Sequence, residues 1–170
     1  MQHHNMKNER GFTFIELILY IAILTIILST LVPFAWNAIE TGVKSAVAQE
    51  VNANARYLSE RIKYEVRNSI GINSVTAASI SLVTSIPATN PTVIDLSAGN
   101  IRIKQGVSSA VNLNSANTVI NSLTFTDYTS GDSKTKNIQF VMTIAASFAA
   151  ARQEYQDSVV IESSVEVRNN

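Results

Sequence analysis

Residues 14–36 are apolar at nearly every position, reading FIELILYIAILTIILSTLVPFAW. Residues 17–36 alone supply 20 positions, and about 20 are needed for a helix to cross a ~30 Å hydrocarbon core. The stretch before them is polar, with Lys7 and Arg10 against Glu9. A basic flank of this kind stays in the cytoplasm and sends the following chain outward. It also resembles the start of a secretory signal peptide, but the small residues near Ala35 and Ala38 make a poor cleavage site.

Beyond Trp36 the apolar positions fall at helical steps: Ile39, Val43, Val47, Val51, Ala55, Leu58, Ile62 and Val66. Steps of three and four draw one stripe along a helix. Arg56–Glu60 and Arg61–Glu65 are opposite charges four apart beside it, each pair worth a few tenths of a kcal/mol. Gly71 is the expected stop, so one helix is predicted over residues 12–70. Residues 58–70 are expected to lie on the chain's own sheet, whereas the Ala- and Val-rich surroundings of residues 38–55 leave neighbouring chains open as partners. Pro33 and Gly42 interrupt the run. Pro33 removes the hydrogen bond that the Ser29 carbonyl would accept, so a kink or loosening is expected there. The hydroxyls of Ser29 and Thr30 are placed to compensate.

After Gly71 the period changes to two. Ala78-Ile80-Leu82, Ile94-Leu96 and Ile101-Ile103 read as short strands, and Val119, Leu123 and Phe125 as a looser one. Ile138-Phe140-Met142-Ile144-Ala146 alternates most clearly, and Val159-Ile161-Ser163-Val165-Val167 is the expected last strand. Pro87 and Pro91 mark a loop, residues 106–117 a polar loop, and Ser130-Gly131-Asp132 a hairpin turn. A helix followed by antiparallel strands predicts an α+β fold, with the second half of the helix covering one face of a sheet of six or seven strands.

Composition narrows the chemistry. The chain of 170 residues carries 13 basic and 13 acidic side chains, only 15% of its residues being charged, and has no cysteine. Disulfides, thiolate metal sites and cysteine nucleophiles are therefore excluded. The histidines are His3 and His4, both before the apolar run. A chain that loses them cannot build a Ser-His-Asp triad or a His-ligated zinc site. Glu60, Glu65, Asp127 and Asp132 are carboxylates without a sequence sign of a cleft. Asp127 and Asp132 with Thr129 and Ser130 offer oxygen atoms to calcium, but their spacing matches no calcium loop. Residues 71–170 hold six basic and seven acidic residues, no electrostatic footprint for DNA. Arg102 with Lys104, and Lys134 with Lys136, read as solvent faces of strands. Tyr57, Tyr64, Tyr128 and Tyr155 read as amphipathic packing residues rather than a base-stacking platform.

Glu16 stands apart. An acid inside an apolar run is costly in a bilayer, although near a helix start the dipole favours it. Arg10-Gly11-Phe12-Thr13-Phe14-Ile15-Glu16 and the apolar helix after it resemble the type IV prepilin signature: a basic residue and glycine, then phenylalanine, then glutamate four residues on. The resemblance implies that a membrane-embedded prepilin peptidase cuts between Gly11 and Phe12 and methylates the amine of Phe12, and that Glu16 is the assembly carboxylate. Cutting before the apolar run keeps the helix as an anchor. The new ammonium and the Glu16 carboxylate are each expensive unpaired in an apolar phase and match in charge.

On this resemblance residues 1–11 are a cleaved leader and 12–36 the transmembrane and assembly half of the helix. Residues 37–70 are its amphipathic second half and 71–170 a β-rich body. Major pilins are similar in having a proline at the distance of Pro33 from the cut. The tract RYLSERIKYEVRN (residues 56–68) and residues 164–169 resemble J-type pseudopilins and W-type minor pilins. The expected function is a structural subunit, not an enzyme, held in the inner membrane and then in an extracytoplasmic filament. Its expected partners are the prepilin peptidase and other pilin or pseudopilin subunits. Cofactors, metals and nucleic acid are not expected. The alternatives are a major pilin, or a membrane-tethered DNA-binding or adhesion module that does not polymerise.

Overall fold

A computed structural model of the chain describes residues 11–131, 135–148 and 155–167. The turn residue Asp132, Lys134 and the leader residues before Gly11 lie outside them. The elements are a helix α1 (Phe14–Asn68) followed by strands β1 (Gly71–Thr76), β2 (Ser79–Val83), β3 (Thr92–Ser97), β4 (Asn100–Gln105), β5 (Val111–Asn112), β6 (Thr118–Asp127), β7 (Asn137–Ala146) and β8 (Ser158–Glu166). Residues up to Thr41 form one compact unit and residues from Gly42 onward a second.

In the first unit α1 begins at Phe14 rather than Phe12. Thr13 caps it, its hydroxyl accepting from the Glu16 N–H at 3.3 Å and its carbonyl from the Leu17 N–H at 3.2 Å. The helix continues through Pro33. The hydroxyls of Thr25, Ser29 and Thr30 donate to the carbonyls of Ile21, Ile26 and Ile27 at 2.7, 2.8 and 2.9 Å. Polar side chains in the apolar run thus spend their donors on their own backbone.

In the second unit the stripe of α1 enters a core. Val47, Val51, Ala55, Leu58, Ile62 and Val66 are buried and Val43 packs at the margin. The chain's own strands therefore cover the helix back to Val47, further than the sequence suggested. The helix closes at Asn68, three residues before Gly71, because the Ser69 hydroxyl and N–H both turn back to the Val66 carbonyl, at 2.7 and 3.2 Å. The Ile70 N–H is then taken by the Val83 carbonyl at 2.8 Å, so Gly71 opens a strand.

Two antiparallel sheets form instead of one: β1-β2-β3-β4-β5 and β6-β7-β8. In the first, Ile80, Ile94 and Ile103 stand in register with Ile101 and Leu82 beside them, all buried. In the second, β7 buries Ile138, Phe140, Met142 and Ile144 on one face. All these side chains join the helix stripe in one cluster. Strand β6 ties the sheets together by its backbone: Phe125 N–H donates to the Ala77 carbonyl at 3.0 Å and Ile120 N–H to the Gly99 carbonyl at 2.9 Å. Both acceptors sit in hairpin turns of the first sheet. Between Ser97 and Asn100 that turn is two residues long with positive φ at Ala98 (48°) and Gly99 (75°), the backbone a two-residue hairpin demands.

Strands β1 and β5 were not expected. β5 has two residues and lies inside the stretch read as a polar loop. That stretch is anchored by buried Asn114, whose carbonyl oxygen accepts from the Ile101 N–H at 3.1 Å while its amide donates to the Thr118 carbonyl at 2.9 Å. β6 departs from strict alternation because the register shifts between Ile120 and Ser122. Ile120, not Val119, therefore shares the buried face with Leu123 and Phe125.

Candidate functional site

The helix start builds the first candidate. Gly11, Phe12 and Thr13 are non-helical and exposed, with Phe12 77% accessible. Among the described residues, nothing lies within 4 Å of where a Gly11 Cβ would stand. Both residues of the Gly11–Phe12 bond are thus exposed. The Phe12 ring lies edge-on to Tyr20, centroids 6.2 Å apart at 67°, which steadies the residue before the cap.

Glu16 occupies the third helical position after the Thr13 cap and is half-buried while its neighbours are exposed. A carboxylate there faces the N–H groups that the first turn leaves unpaired. Thr13 is the residue of this helix start that the sequence reading missed. Its signal was in plain view: threonine followed three residues later by glutamate, before an apolar run, is a capping-box pattern.

Downstream, the most apolar stretch of α1 is long enough to cross a membrane and none of it is buried within the chain. Leu17, Leu24, Ile26, Leu31 and Phe34 are all about half or more exposed. An aliphatic surface of this size calls for a lipid or protein environment. Pro33 lies within it.

The body's candidate groups are engaged structurally. Glu65 is almost fully buried, with Arg61 Nη2 2.6 Å from its Oε1. The two make a charge contact rather than an aligned hydrogen bond, since neither Glu65 Oε1 nor Arg61 Nε has a hydrogen-bond partner. Glu60 pairs with Lys63 at 2.9 Å, not with Arg56. That ammonium's hydrogen bond and charge hold the exposed Glu60 carboxyl below its usual pKa. Arg102 is bound through Nε and Nη2 by Asp95 at 3.0 and 2.6 Å, and this hydrogen bonding raises its pKa. The Arg102–Lys104 face therefore offers nucleic acid one cation already neutralised.

Asp127 closes a local turn, accepting from the Thr129 N–H at 2.8 Å. Asp132 lies outside the described residues, among which no three Asp, Glu or His groups converge. Tyr155 packs on the core beside Phe148 at 5.5 Å. Tyr57, Tyr64 and Tyr128, by contrast, are 53%, 58% and 61% exposed, so they are not the packing residues the sequence suggested.

Residues 6–32, which include the cap, Glu16 and most of the apolar helix, match the family model of the prokaryotic N-terminal methylation motif. No curated protein and no solved structure matches the chain.

Proposed function

We propose, from the premise that the chain carries the prepilin-type methylation motif of the type IV pilin and pseudopilin superfamily, that it is a non-enzymatic minor pilin or pseudopilin. It is stored in the inner membrane by its apolar helix and assembled into an extracytoplasmic filament. The observation that carries this is positional. The matched motif ends its polar part where the helix is capped, leaving Gly11–Phe12 accessible and Glu16 one turn into the apolar stretch.

The steps follow from charge. A prepilin peptidase hydrolyses the peptide bond between Gly11 and Phe12. The Phe12 amine so released is methylated and remains cationic. It then stands at the start of an apolar helix, where an uncompensated charge is costly. The Glu16 carboxylate of a subunit already in the filament relieves that cost and its own together. Pro33, which lacks an N–H, supplies a place where the helix loosens when subunits pack.

The test is the mass of the native protein. A mature chain beginning at methylated Phe12, without His3 and His4, is expected. A chain starting at Met1, or cut near Ala38, overturns the proposal. Pro33 also favours a second reading, the major pilin. Copy number along sheared filaments separates the two, many evenly spaced copies marking a major subunit.

A further inference from the structure

We propose that two oppositely charged outer faces of the body meet between successive copies of this chain, the outward face of α1 near its end receiving the outward row of β8 from the next copy. This rests on the filament-subunit function above, in its major-pilin reading where copies of this chain follow one another, and names the surfaces through which the bodies join.

The first face is basic and aromatic. Tyr57, Glu60, Arg61, Tyr64, Arg67 and Asn68 line a shallow groove along the helix. The Arg61 guanidinium lies 5.5 Å from the centre of the Tyr64 ring, and both tyrosines are more than half exposed. Residues 56–67 carry four cations against two carboxylates. Since Glu60 is tied to Lys63 and Glu65 to Arg61, Arg56 and Arg67 are the surplus charge. Exposed tyrosine and arginine together are the residue types that interfaces favour.

The second face is acidic. On β8 Ser158, Val160, Glu162, Ser164 and Glu166 point outward, Val160 being 65% exposed. The neighbouring outward positions are Gln139, Val141 and Thr143 on β7 and Ser122, Thr124 and Thr126 on β6, none of them charged. Glu162 and Glu166 are the carboxylates of this row; Asp127, in register with buried Ile138, and half-buried Asp157 have the opposite parity. Lys136, just before β7, has its ammonium beside Gly71, 4.0 Å from where a Cβ there would stand. Glu162 is also held by the amide of Gln139. Among the described residues, cations are absent from this sheet face; Arg168, two positions after Glu166, lies outside them.

The buried rows of α1 and of β6–β8 belong to one core cluster, so the two outer faces point away from each other. One molecule cannot join its own pair. Like faces brought together would oppose cation to cation or carboxylate to carboxylate. The favourable contact is head to tail, and a head-to-tail contact that does not close into a ring propagates.

The absence of cysteine makes a clean test. In the full chain in its native membrane, Asn68→Cys and Ser164→Cys are introduced singly and together and treated with a short bifunctional thiol reagent. The double variant is expected to give a ladder of dimers, trimers and longer species, and each single variant to remain monomeric. Arg67→Glu in the double background should weaken the ladder by about threefold to fivefold, the scale of one exposed ion pair, and adding Glu166→Arg should restore it. A dimer from either single variant, a ladder indifferent to Arg67→Glu, or no ladder overturns the contact. The N-terminal mass read in the same sample separates the two levels. A chain cut before Phe12 that gives no ladder overturns this contact and leaves the filament-subunit function standing. A ladder on a chain that keeps its leader supports the contact and overturns that function.

Discussion

The Thr13 hydroxyl accepts the Glu16 backbone N–H at 3.3 Å, so the two residues share one helix cap while their side chains have separable duties. Thr13 serves the backbone; in the proposed function the Glu16 carboxylate serves a neighbouring subunit.

That division predicts different outcomes for substitutions three residues apart. Thr13→Ala should weaken the helix start by about 0.5–2 kcal/mol and still enter filaments. Glu16→Ala and Glu16→Gln should insert and be cleaved, yet incorporate poorly against wild type. Leaving a partner ammonium unpaired in a dry site costs on the order of 3–5 kcal/mol, against at most ~1 kcal/mol for losing an exposed helix-start acid. The fraction of each variant in sheared filaments relative to the membrane pool checks this. Equal recovery of wild type and both Glu16 variants would reduce Glu16 to a helix-start acid.

A fragment of residues 37–170 should fold in water without detergent. The buried cluster runs from Val47 to Val167 and includes no residue of the apolar anchor. Circular dichroism should show mixed helix and sheet with one cooperative melt, and Leu58→Ala, at a fully buried position, should lower stability by about 2–5 kcal/mol. A fragment that needs detergent contradicts this.

The glycines of the body should rank by what a methyl group meets. At Gly106, φ is 56° and a Cβ would stand 2.3 Å from the Ala88 carbonyl oxygen, which is backbone and cannot swing aside. At Gly99, φ is 75° and the obstacle at 2.7 Å is a Val119 methyl. Gly99→Ala should cost about 1–3 kcal/mol, Gly106→Ala more, and Gly131→Ala, with no described atom within 4 Å of its Cβ position, close to nothing. Urea midpoints of the three variants give the order.

The joint between α1 and the loop before β6 should also be measurable. Ser115 donates its N–H to Asn54 Oδ1 at 3.0 Å and its hydroxyl to Glu50 Oε1 at 2.8 Å. Asn54→Ala strands a half-buried backbone N–H and should cost about 1–3 kcal/mol. Ser115→Ala removes a donor and leaves Glu50 its bond from the Asn54 amide, so it should cost less. Thermal melts of the two variants compare them directly.

Local order was the part of this fold that the sequence made legible. The helix stripe from Leu58 to Val66 and the alternation of β7 and β8 each repeat with one period over several residues, and each was found where expected. Gly11, Phe12 and Glu16 were picked out by a short contiguous motif, and Pro33 as a proline inside a helical run. What stayed hidden depends on residues far apart. The extra residue that shifts β6 is seen only against β7, and a two-residue β5 has too few positions to show a period. The split into two sheets follows from where β6 spends its N–H groups. The segregation of charge was equally invisible, since net charge sums over faces that only strand register separates.

The closing members of the core, Val165 and Val167, lie at the far end of the chain from the helix stripe they help to cover. A ribosome therefore makes the helix first and its last cover after about a hundred further residues, at roughly 5–20 residues per second. For several seconds the stripe of Val47, Val51, Leu58 and Ile62 has no finished lid. A nascent chain in that interval presents a sticky seam to chaperones and proteases, and a stop codon just short of Val165 makes the interval permanent.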